Sequence, residues 1–96
     1  MGAPSWAAEK SMAGLIAYAE CAEEGKVTPA EHAKCEEGKD RDDHLLVFVP
    51  ENEPKKIYEL LFEEPADPYV GKLVVVKGDF EDNFLEILEI EPKKQR

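Results

Sequence analysis

GKLVVVKGDFEDNFLEILEIEP, residues 71–92, is the stretch that decides the fold. Lys72 to Phe80 is rich in Val and Leu and reads as a strand, with Gly78 at a kink. Glu81-Asp82-Asn83 turns the chain. Phe84 to Ile90 reads as the partner strand, in which Leu85, Ile87 and at times Leu88 alternate with Glu86 and Glu89. Two apolar strands of this kind leave exposed edges unless the sheet closes on itself.

Working outward, three more strands are read, two of which alternate. Ala13 to Cys21 (AGLIAYAEC) alternates Leu15, Ala17 and Ala19 with Ile16, Tyr18 and Glu20. Gly14 near its start suits a bend or bulge. Leu45 to Pro50 (LLVFVP) is a short apolar strand ended by proline, and ENEPKK turns it back. Lys56 to Phe62 (KIYELLF) sets Ile57, Glu59 and Leu61 on one face and Tyr58, Leu60 and Phe62 on the other. EEPADPYVG is a proline-broken connection to the closing hairpin. Five strands with one long excursion after the first predict an all-β protein with a short helix: a five-stranded, OB-like Greek-key barrel. Residues 1–12 read as an irregular lead-in, 13–92 as the single barrel with its excursion at 22–43, and 93–96 as the end of a solvated tail.

The excursion contains one strong local signal. Thr28 is an N-cap, Pro29 sits at the first helical position, and Glu31 completes a capping box. Gly38 suits the left-handed residue that ends a helix. The spacing predicts a short helix over Pro29 to Glu37.

Bulk composition limits the function. The chain has 96 residues, 22 acidic against 12 basic, and a net charge of −10. That balance opposes a nucleic-acid backbone, which needs Lys and Arg, and it opposes an anionic membrane surface. It favours cationic partners or metal ions. No apolar run is long enough to insert in a membrane. MGAPSWAAEKSMAG has neither a basic n-region nor an apolar h-region, so no signal peptide is expected in this chain.

The only cysteines, Cys21 and Cys35, bracket the excursion. Three readings stay open. A disulfide would close a loop of roughly 14 residues and stabilise by about 3 kcal/mol, if the helix folds back on the first strand. A metal site would add His32, one helical turn before Cys35, and His44, giving two thiolates and two imidazoles for zinc or copper. The third reading is two free, buried thiols. Taken singly, His32 reads as a solvated helix residue or cap partner and His44 as a strand-edge residue. The acidic runs at 36–37, 40–43 and 63–64 read as solvated surface, without the glycine and distal glutamate of a calcium loop.

GLIAYAEC, HAKC, LLVFVPENEPKKIYEL and YVGKLVVVKGDFEDNFLEILEI together resemble small bacterial OB-fold domains, many of them exported, which carry a Cys- and His-containing loop after the first strand. The resemblance spans about Ala13 to Pro92 and implies an OB-like barrel and a periplasmic or extracellular setting. Such domains often have a further cysteine after the HxxC element; EEGKDRDDH has none. The even Glu- and Lys-rich surface also resembles redesigned or thermophile sequences.

OB barrels often bind oligonucleotides through aromatic and basic residues on the second and third strands. The aromatics here are Phe48, Tyr58 and Phe62, of which Phe48 and Phe62 read as core and Tyr58 as half-exposed. No basic stripe accompanies them. No serine stands in a nucleophile setting, and a Cys35–His32 pair lacks an oxyanion-hole loop, so an enzyme is not expected. The expected function is a non-catalytic binding or accessory module, a monomer or a subunit docking on a larger assembly. It would carry a Cys21–Cys35 disulfide, no resident cofactor, and Trp6 and Tyr58 as partner-binding aromatics. The alternatives are zinc or copper binding through Cys21, His32, Cys35 and His44, and a designed scaffold without a natural ligand.

Overall fold

The computed structural model describes residues 9–93. Five strands form a closed barrel in the order β1-β2-β3-β5-β4. They are β1 (Glu9–Tyr18), β2 (Leu46–Pro50), β3 (Tyr58–Leu60), β4 (Leu73–Glu81) and β5 (Phe84–Pro92). All neighbours are antiparallel except β3 and β5, which run parallel through Glu59–Phe84 and Leu60–Leu85. That is the OB-like arrangement, in which a mixed pair lets a short meander close on a hairpin. Two helices, α1 (Ala19–Glu23) and α2 (Pro29–Glu36), fill the excursion between β1 and β2.

The interior follows the period of two. Ile16 and Tyr18 from β1, Leu46 and Phe48 from β2, Val74 and Val76 from β4, and Leu85 and Ile87 from β5 form one buried cluster. The intervening residues of β1 and β2 are buried as well. Leu15, Ala17, Val47 and Val49 form a second cluster with Ala22, outside the barrel wall. So β2 is buried on both faces, as its unbroken apolar run LVFVP requires.

The hairpin breaks its alternation once, and the bulge explains it. Lys77 pairs with Glu89, but Gly78 pairs with Ile87, so Leu88 is an extra residue on β5. Leu88 is left 47% exposed. The phase shift returns Ile90 to the side of Leu85 and Ile87, against the interior cluster. Gly78 faces the kink as expected, and a side chain there would run into the Glu86 carbonyl.

Several expectations need correction. β1 starts at Glu9 instead of Ala13, because Glu9 to Met12 pair with β4; residues 9–12 belong to the barrel and not to a lead-in. β1 stops at Tyr18, and Cys21 lies on α1 instead of closing the strand. Gly14 is no bend: it pairs with Pro50 and Val74, and a Cβ there would come within 2.6 Å of the Phe48 ring. β5 runs on through Glu91 and Pro92, beyond the expected strand end at Ile90. Phe62 is 64% exposed, not core. β3 ends at Leu60, and the proline-containing 3₁₀ turn at Glu64–Tyr69 carries the chain away before Phe62 can point inward. Trp6 lies outside the described residues.

Candidate functional site

The excursion is fixed by three links, of which one reaches the barrel. Cys21 and Cys35 are joined by a disulfide, with Cα atoms 5.9 Å apart. Thr28 caps α2, its Oγ1 accepting the Glu31 N–H at 3.2 Å, and Gly38 follows the helix with φ +77°. The third anchor is His32, which is fully buried; the expectation of a solvated helix residue fails.

A gap in the β-ladder explains His32. On the β4 side of β1, Ile16 donates to the Lys72 carbonyl and accepts from Gly71 N–H. Two residues on, Tyr18 presents its N–H on that same side, where no strand continues. His32 Nε2 accepts it at 2.9 Å, and Nδ1 donates to Glu36 Oε1 at 2.9 Å. A buried backbone N–H without an acceptor is costly, so an imidazole completes the ladder. Nothing in the HAKC spacing reveals this partner, which is 14 residues away along the chain.

The Tyr18 ring lies between the two histidines, tilted against His32 at 5.5 Å and stacked on His44 at 5.1 Å. Burial, reinforced by the nearby Glu36 carboxylate, raises the Tyr18 phenol above its ordinary pKa. His44 Nδ1 stands 3.5 Å from Glu20 Oε2. Arg41 ties the end of the excursion to the turn after β3. Its Nε donates to Asp67 at 2.6 Å, one terminal nitrogen to Glu63 at 2.7 Å, and the other to the His44 carbonyl at 2.8 Å. Partial burial opposes its charge, but the bonds to Glu63 and Asp67 outweigh this and raise its pKa. Glu63 also accepts the Leu46 N–H, holding the start of β2.

The four residues considered as metal ligands are thus brought to one end of the barrel but committed elsewhere. Both sulfurs are in the disulfide, and both His32 nitrogens are hydrogen-bonded. Among the described residues, no group of three or more His, Cys, Asp or Glu is placed to hold a metal ion.

A further feature is a groove bounded by α1, the start of β2 and β3. It encloses about 210 Å³ over Leu46, Val47, Ile57 and Leu60, beside Ala19. Leu45 stands at its wall, 67% exposed. Leu61, 53% exposed, follows the end of β3. Phe84, beside Glu59 in the parallel register, continues the apolar surface onto β5. Glu23, Glu59 and Glu63 supply the polar lining, which holds no Lys or Arg. Glu63 is engaged by Arg41, whereas Glu23 and Glu59 have no side-chain partner among the described residues. Neither Phe48 nor Tyr58 lines the groove. Phe48 is buried inside, and Tyr58 is half-buried with its ring edge-on to Phe80 at 4.9 Å and the Lys56 ammonium 5.0 Å above it.

The chain matches no protein-family model, no curated protein and no solved structure.

Proposed function

We propose that this protein is a non-catalytic docking module that binds another protein through the groove between α1, the start of β2 and β3. The observation that carries this reading is the groove beside Leu45: apolar at its floor, and continued by Leu61 and Phe84. Exposed leucines in a contiguous patch mark an interaction surface more than solvated wall. A hollow of about 210 Å³ is small for a drug-sized ligand or cofactor, which takes about 300 Å³ or more; it suits one or two apolar side chains of a protein. The disulfide supports an oxidising setting, periplasmic or extracellular, where such bonds persist. That setting agrees with the resemblance to small exported OB domains.

Selection from a displayed random-peptide library tests the reading. Binders to the wild-type protein are expected to lose about tenfold or more in affinity for the Leu45→Ser/Leu61→Ser variant. Binders indifferent to that variant, or no binders at all, would overturn it; the second outcome favours a scaffold without a ligand.

A further inference from the structure

We infer that the segment seated in this groove is basic and amphipathic: an apolar side chain enters beside Leu45, and flanking Lys or Arg side chains reach Glu23 and Glu59. The inference rests on the docking reading above and adds the chemistry of the partner. Its basis is charge complementarity. An apolar anchor alone would be served by an uncharged rim. Here the rim carries two exposed carboxylates that have no side-chain partner among the described residues, on a chain with a net charge of −10. The third, Glu63, is already neutralised by Arg41, so the demand for a cation falls on Glu23 and Glu59. A second copy packed face to face would bring the same carboxylates to the groove, so an isologous dimer does not meet it. An acidic partner, or a nucleic-acid backbone, meets the same repulsion. A cationic partner is steered to the face from solution and held at the rim.

The experiment uses two short amphipathic helical peptides with identical leucine faces. One has lysines on its polar face and the other has glutamines. Each is titrated into the intact, oxidised protein while backbone amide shifts are followed. The lysine peptide is expected to bind roughly fivefold or more tightly than the glutamine peptide, with the largest shifts at Leu45, Val47, Ile57 and Glu59. Glu23→Gln/Glu59→Gln is expected to close most of that difference. Glu89→Gln/Glu91→Gln, the same change in charge on the far half of β5, is expected to leave it. If both double variants narrow the difference equally, the preference is diffuse attraction and the inference fails. Equal binding of the two peptides at Leu45 also overturns the basic partner while sparing the docking face. Shifts confined to other surfaces overturn both.

Discussion

The barrel and the excursion between β1 and β2 are held by different physics. In the barrel, side chains from four strands converge on one buried cluster, and its stability is spread over many apolar contacts. The excursion has almost no apolar surface to bury. On α2, His32 is the only fully buried residue, and the helix is otherwise acidic, polar or partly exposed. So α2 is fastened at points: a covalent bond, one imidazole and a cap. A segment with little to bury can still be fixed if a few strong, directional links replace area.

That contrast can be broken in steps. Phe48→Ala, at the centre of the interior cluster, is expected to cost about 3–5 kcal/mol and to lower the urea midpoint of the whole domain. A loss confined to the excursion would mean that the cluster does not unify the barrel. Cys21→Ser/Cys35→Ser is expected to cost about 3 kcal/mol. Amide exchange should rise in residues 19–39 well before β4 and β5. Uniform acceleration would show that excursion and barrel form one cooperative unit.

His32→Leu keeps the buried volume but removes the acceptor for Tyr18 N–H, at an expected cost of about 1–3 kcal/mol. His32→Gln, whose amide oxygen can accept, should recover part of it. Leu and Gln behaving alike would mean that packing, not the ladder bond, holds α2. The smallest effect is alkaline. The Tyr18 phenol has its pKa raised on folding, so the folded state holds that proton more tightly than the unfolded chain. Its contribution is intact below the ordinary tyrosine value of about 10 and is lost as pH rises through the higher folded value. Tyr18→Phe should therefore flatten the stability curve above about pH 10 and leave it unchanged at neutral pH. An identical alkaline slope in the variant would assign the loss to other groups.

Much of this architecture is legible in the chain because it rests on local rules. The alternation of β4 and β5, the Glu81–Asn83 turn, the kink at Gly78 and the Thr28-Pro29 cap each depend on residues close in sequence. The bulge is legible as well, once Leu85, Ile87 and Ile90 are seen to change phase at Leu88. The disulfide was one of three open readings, and the approach of α2 to α1 selects it. The misses share a cause. Glu9 to Met12 form a strand only because β4 stands beside them, and polar residues on a strand paired on one side give no periodic signal. Phe62 looks like the next inward residue of β3, but the proline turn that follows sends it outward. The groove was not foreseen: Leu45 and Ile57 are twelve positions apart, and only the pairing of β2 with β3 brings them to one groove.

The sequence by itself therefore determined the barrel class, the helical cap, the hairpin and the acidic surface, because these follow from period, turn chemistry and net charge. The tertiary structure alone decided three things: that Cys21 meets Cys35, that His32 completes the ladder at Tyr18, and that Glu23 and Glu59 rim an apolar groove. Each joins residues that no local rule connects. Closing a small barrel leaves certain backbone groups and apolar faces without strand partners, and which side chains reach them is settled only when the chain has closed.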